Sequence, residues 1–160
     1  MRSTFNTARL IALLLPLALL AGAWGSQLIG HLYPCEMCHW QRWPHYAAVV
    51  IAALAFVVPG RDAKRMLVLL AALAIALSGA IGAFHAGVEY HWWQGITACT
   101  STMGGSGGTP EEMLARIMGA PIIRCDVAQW TLFGISLAGF NAILSLGGSA
   151  TILYLLGRRA

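Results

Sequence analysis

The chain has 160 residues, 58% of them hydrophobic and only 10% charged, against about 25% charged in an ordinary soluble domain. With a mean hydropathy of +0.69, it carries more apolar surface than a compact globule of this size hides, so a bilayer must take up the excess. The net charge of +4 does not point to nucleic acid: basic residues cluster only at Arg61 to Arg65 and at Arg158-Arg159, and phosphate binding needs a denser basic face.

A helix needs about 20 apolar residues to cross about 30 Å of hydrocarbon. The first uncharged run, Leu10 to Gly30, has that length. Arg2 and Arg9, the Leu-rich core and Ala21-Gly22-Ala23 also imitate a cleavable secretory signal. Apolar character continues through Trp24, Leu28 and Ile29, however, which favours an anchoring span over about 10–30.

Next comes Cys35-Glu36-Met37-Cys38, a CxxC whose sulfurs are spaced to bridge reversibly. The loop that such a bridge closes is tiny, so loop-closure entropy gives it little value as a structural staple, and redox use is favoured. Arg42 sits four residues after Cys38, so a helix beginning around Glu36 to His39 would set its guanidinium one turn from the sulfur. Read with His39, the same residues fit the CxxCH pattern of c-type haem attachment. Against that, spans flank the motif closely and the pattern leaves Cys99 and Cys125 without a role.

The second run, Trp43 to Val58, is short for a span, but Trp43, His45 and Tyr46 suit the membrane boundary. Pro44 removes one helical bond and disfavours helix at Trp43, predicting a kinked or delayed entry. Met66 to Phe84 is a third run of spanning length, and Val127 to Gly157 contains a fourth over about 137–156.

In a four-span arrangement, Arg2, Arg9, Arg61, Lys64, Arg65, Arg158 and Arg159 lie on one side and Arg42, Arg116 and Arg124 on the other. Lys and Arg mark the cytoplasmic side, so both termini are expected inside. The loops at about 31–42 and 85–136 then carry all four cysteines on the oxidising outer face of a bacterial inner membrane.

The longer outer loop has a Gly-rich stretch, Thr100 to Thr109, whose composition predicts flexibility. Thr109-Pro110-Glu111-Glu112 then reads as an N-cap, a proline at N1 and a capping-box glutamate. A short helix should follow, with Met113, Leu114, Ile117 and Met118 on an apolar stripe and Gly119 at its end. It lies either on the membrane surface or against its own protein. No repeat and no hydrophilic linker divides the chain, so a single membrane domain over 1–160 is expected.

Cys99 and Cys125 could form a structural bridge, or, beside a CxxC, an exchange partner open to outside thiolates. A zinc site on Cys35, Cys38, Cys99 and Cys125 would call for paired CxxC knuckles, whereas the second pair is widely split. His91, between Tyr90 and Trp92-Trp93, is either an interfacial residue of an aromatic belt or a ligand contact, and Glu89 is a similar case. His31, His39, His45 and His85 read as boundary residues.

Tyr33-Pro34-Cys35-Glu36-Met37-Cys38-His39-Trp40-Gln41-Arg42, then a span, a basic inner loop, a third span, Ala98-Cys99-Thr100 and Arg124-Cys125-Asp126, resembles the disulfide bond formation protein B (DsbB) family over nearly the whole chain. The resemblance implies an all-α membrane protein: a four-transmembrane-helix bundle with two periplasmic loops and a short interfacial helix in the second. It implies a quinone-dependent thiol oxidase that reoxidises a periplasmic DsbA-like, thioredoxin-fold dithiol oxidase and passes two electrons to membrane quinone, ubiquinone or menaquinone. By analogy, the donor attacks Cys99 of a Cys99–Cys125 bridge, released Cys125 attacks Cys35, and freed Cys38 faces the quinone. Arg42 stabilises the thiolate and contacts a quinone carbonyl, and His91 is a further candidate quinone contact. No metal is implied. A vitamin K epoxide reductase-like oxidase also uses two cysteine pairs, but there the CxxC lies in the last span, after the loop pair. A non-enzymatic alternative is a small haem-bearing or structural membrane subunit.

Overall fold

The computed structural model describes residues 2–96, 109–111 and 124–158. Four helices dominate: α1 (Arg2–Leu28), α2 (Glu36–Val57), α3 (Arg61–Glu89) and, after a hairpin of β1 (Thr131–Leu132) and β2 (Ile135–Ser136), α4 (Leu137–Gly157). Each apolar run becomes a helix because an unbroken helix is the form that satisfies every backbone polar group away from water. Short connections turn the chain back between α1 and α2 and between α2 and α3, and Arg65 reaches the Leu156 carbonyl and Arg9 the Ala55 carbonyl, so the start of α1, the end of α4 and the α2–α3 turn lie at one end of the bundle and Cys35 at the other.

Local signals set the ends. The Cys35 side chain caps α2 by accepting from the Cys38 N–H, and Glu36 in the first turn favours the helix dipole. The helix therefore begins seven residues before the expected 43–58 span, and it continues through Pro44. Entry is not delayed; the proline deletes only the bond its N–H would make to Trp40. α2 ends where Pro59 disfavours helix at Val58. α3 outruns its expected 66–84 span at both ends, so His85 and Glu89 belong to a helix and not to the second loop. Ser136 caps α4, accepting from Gly139 N at 3.1 Å.

The hairpin is an element that the all-α expectation lacks. Phe133 (φ 52°) and Gly134 (φ 77°) make its turn with two positive φ values, the type I′ geometry that two-residue hairpins favour. The Tyr90 hydroxyl pins it to the end of α3, donating to Gly134 O at 2.8 Å and accepting from Ser136 N at 2.9 Å.

α3 packs most extensively, against α4 and α2. Close approach needs small residues: a Cβ on Gly82 would stand 3.0 Å from the Ala138 carbonyl oxygen. At the terminal end the core is apolar, with Ala8, Ala12, Ala48, Ala52, Ala71 and Ile75 fully buried. Outward faces stay apolar too, with Leu14, Val50, Leu73 and Ile143 exposed, as lipid-facing surfaces are. Among the described residues, three helices are long and apolar enough to cross a membrane, within α1, α3 and α4. The chain is a mostly helical membrane protein. α2 is less apolar because its first half carries Gln41, Arg42 and His45, all buried inside the bundle.

Of the expected loop helix, Pro110 and Glu111 are helical after non-helical Thr109, as the capping signal requires. Met113, Leu114, Ile117, Met118 and Gly119 lie outside the described residues, as does Cys99.

Candidate functional site

The N-terminus of α2 places the CxxC at the cysteine end of the bundle. Cys35 is buried as the helix cap, and Cys38 is half-buried one turn on. Both are free, and Cys35 Sγ donates to Cys38 Sγ at 3.1 Å. That hydrogen bond first, and then burial, push the Cys35 thiol up, so Cys35, the donor of the pair, is the sulfur that keeps its proton. The two sulfurs therefore differ: Cys35 turns inward to a cluster with Met37, Val88 and Cys125, while Cys38 lies at the edge of that cluster.

Cys125 is buried and disulfide-bonded. Its sulfur, the Cys35 sulfur and a ring nitrogen of His85 all lie within 4.8 Å of one another. Such a triangle has metal-ligand dimensions, but a sulfur held in a disulfide supplies no thiolate to a zinc ion. It has the dimensions of a meeting point for thiol–disulfide exchange, which requires one sulfur to reach another.

A cavity of about 240 Å³ opens beside the pair. Leu19, Ala23, Leu137 and Phe140 give it apolar walls, and Cys35, Cys38, Arg42, Gln41, His45 and Asn141 supply its polar points. Mostly apolar walls with a few placed donors suit a flat lipophilic ligand. Residues 124–130 contribute Arg124, Val127, Gln129 and Trp130 to the lining, and Gln129 is tied across to the Tyr33 carbonyl at 2.7 Å.

Arg42 is where the spacing placed it, on the turn below Cys38, but it hydrogen-bonds to α1. Its guanidinium donates to Gln27 Oε1 at 2.8 Å and Ala23 O at 3.0 Å, and lies 5.4 Å from the Trp24 ring centroid. The cation is thus fixed at the cavity wall between α1 and α2. His91 is not brought to this cavity. It is exposed, with φ 61°, beyond the end of α3, and its neighbours Tyr90, Trp92 and Trp93 make ring contacts with one another; the aromatic-belt reading fits its position. Glu89, its companion in the sequence, does line the cavity. His39 is exposed and His31 stands at the loop end of α1.

The boundary reading fails for His45 and His85, which are 3% and 2% exposed. His45 Nε2 lies 3.0 Å from Asn141 Oδ1 and 2.9 Å from Ser78 Oγ, and Ser145 Oγ donates to Asn141 Oδ1 at 2.9 Å. His85 bonds to Gln41, and Gln41 to Asn141. A helical signal for this network exists in the sequence. Gln41 and His45, Ser78 and His85, and Asn141 and Ser145 are spaced by four or seven residues within or at the edge of apolar runs, so each pair shares one helix face, and polar groups inside spans face the bundle interior.

Among known proteins, an uncharacterized protein of Rickettsia prowazekii (strain Madrid E), RP370, is 21% identical over 146 residues, covering 91% of this chain and 84% of the relative. No solved structure matches the chain significantly. The family model described as disulfide bond formation protein DsbB matches residues 5–155, so the motifs around both cysteine pairs and the helices that carry them fall within one match, and the chain belongs to the DsbB family of disulfide bond formation proteins.

Proposed function

We propose that this disulfide oxidoreductase is a thiol:quinone enzyme that reoxidises a periplasmic DsbA-like dithiol oxidase and delivers two electrons to a membrane quinone. The observation that carries the reading is the CxxC set between the second pair and a cavity: both of its sulfurs line a largely apolar cavity, and the Cys35 end is the one packed against Cys125. In this reading the whole chain is one membrane domain of four spans, with α2 as the fourth. Burial of its polar residues lets α2 cross at lower apolarity than its neighbours. It sits in the bacterial inner membrane with both termini cytoplasmic and the cysteines periplasmic. Arg9, Arg61, Lys64, Arg65 and Arg158, all at the terminal end, support that orientation.

The relay begins when the donor thiolate attacks Cys99 of a Cys99–Cys125 bridge, forming a mixed disulfide and releasing Cys125. Cys125 attacks Cys35, the Cys35–Cys38 bond breaks, and its electron pair leaves on Cys38. The charge has then moved from the buried junction to the cavity wall, where Arg42 stabilises it. Quinone, when bound, supplies an acceptor for two electrons and two protons, so a dithiol and a quinone balance without a metal. Cys38 and Arg42 would hold its polar edge, and Leu19, Ala23 and Phe140 its apolar faces.

The test is quinone reduction by purified protein with a reduced thioredoxin-fold donor, one cysteine replaced at a time. Reduction in the wild type and its loss in each cysteine variant are expected. A wild type that forms the mixed disulfide but never reduces quinone would sink the assignment.

A further inference from the structure

At the junction of the two pairs, side chains from three helices fix one another's orientation. Asn141 Nδ2 lies 3.2 Å from the Ser78 carbonyl, which can only accept, and it donates to Gln41 Oε1 at 2.9 Å. Gln41 Nε2 lies 3.2 Å from the Met37 carbonyl, so this end of the amide is also a donor, and its second N–H reaches His85 Nδ1 at 2.8 Å. An amide N–H has no lone pair to offer, so Nδ1 must be the bare acceptor and the neutral ring carries its proton on Nε2. That nitrogen faces the sulfurs. It lies 3.6 Å from Cys35 Sγ and 3.8 Å from Glu89 Oε1.

We propose that His85 is a catalytic hydrogen-bond donor for the exchange between the two cysteine pairs, with Gln41 and Asn141 as the positioning residues that aim its Nε2–H at the sulfurs. The role rests on the relay described above. In that step a bond forms between Cys125 Sγ and Cys35 Sγ, the Cys35–Cys38 bond breaks, and the electron pair leaves on Cys38. One negative charge is present before and after, no proton moves, and no outside oxidant is consumed. Cys35, Cys125 and His85 are all buried at the junction. An attacking thiolate there needs a donor from the protein, and the imidazole N–H supplies it without itself titrating.

The experiment follows the exchange by rapid mixing of oxidised protein with reduced thioredoxin-fold donor, acid quenching and alkylation. His85→Phe should leave mixed-disulfide formation at Cys99 at its wild-type rate and slow Cys125–Cys35 formation roughly ten- to hundredfold, the effect of losing one hydrogen bond to a charged group. His85→Gln, which keeps an N–H near the Nε2 position, should recover most of that loss. Independently, ¹⁵N-histidine spectra of the wild type should show a pyrrole-like Nε2 and a pyridine-like Nδ1 for His85, and Gln41→Leu should abolish that single-tautomer signature. Equal second-step rates in wild type and His85→Phe would overturn the proposal, as would a proton found on Nδ1. Failure of the relay itself looks different: the wild type would form no mixed disulfide at Cys99, which removes the role from His85 while the spectra still report the tautomer.

Discussion

The two ends of the bundle are built on opposite rules. At the terminal end, alanines from α1, α2 and α3 meet around Ile75 and Ile152, and polar side chains mostly reach single backbone carbonyls, as Ser149 Oγ does Ala72 at 2.9 Å and Arg65 does Leu156 at 3.0 Å. At the cysteine end, the same helices line a cavity and carry a chain of buried amides, imidazoles and hydroxyls. Close-packed small residues hold helices together by dispersion and need no specific partner. Buried polar groups give up that packing, and in return fix the orientation of each group beside the sulfurs. Stability and chemistry are thus carried by different halves of the same four helices.

Substitutions can break that division, and the largest effects belong at the sulfurs. Cys99→Ala should abolish mixed-disulfide formation with the donor, whereas Cys38→Ala should spare that first exchange and stop quinone reduction. Gel mobility after thiol trapping, read beside quinol absorbance, separates the two, and equal loss of both steps in each variant would contradict the relay.

In the other half, Ile75→Ala should cost about 2–5 kcal/mol of stability, the range for deleting a buried aliphatic side chain. It should leave the KM for quinone unchanged at temperatures where the variant is folded. Denaturation in detergent measures the first quantity, and a shift in KM would show that the halves are coupled.

Arg42→Ala sits on the boundary, because the guanidinium both lines the cavity and ties α2 to α1. Its expected signature is a KM for quinone raised roughly tenfold or more, as for losing a charged hydrogen-bond donor. Ser149→Ala removes one interhelical hydrogen bond and should cost only about 0.6 kcal/mol.

Smallest of all is Asp126→Asn. Its hydrogen bond with Arg124, 2.6 Å at the closest atoms, holds the Asp126 carboxyl below its usual range. A depressed carboxylate contributes stability that is present above its unfolded pKa and fades as pH falls through the lowered folded value. The pair is solvent-exposed, so the denaturation midpoint near neutral pH should not move measurably.

Much of this was legible before any coordinates. Apolar run lengths identify the helices because hydrocarbon forces the backbone to satisfy itself, and the Cys-x-x-Cys with Arg42 one turn on declares its chemistry through residue type and spacing. The early start of α2 was hidden, since Pro44 argues against helix while the competing signal is a cysteine acting as a cap. Phe133-Gly134 lies inside an apolar run, and a hairpin of two-residue strands has no periodicity to set it apart. His91 drew attention from its aromatic neighbours, yet the end of α3 turns it away from the cavity. His85, on the face of α3 that also carries Ser78, is among the described residues the histidine that reaches the sulfurs.

The sequence by itself determined that the chain is a membrane protein, where its helices lie, and that a CxxC heads one of them, because hydropathy and local spacing act over a few residues of contiguous chain. Only the tertiary structure decided which sulfur faces Cys125, where Arg42 is tethered, and that Gln41, Ser78, His85 and Asn141 meet. Those contacts join residues up to a hundred positions apart, and their partners are chosen by how helices rotate and pack against one another, which no local pattern encodes.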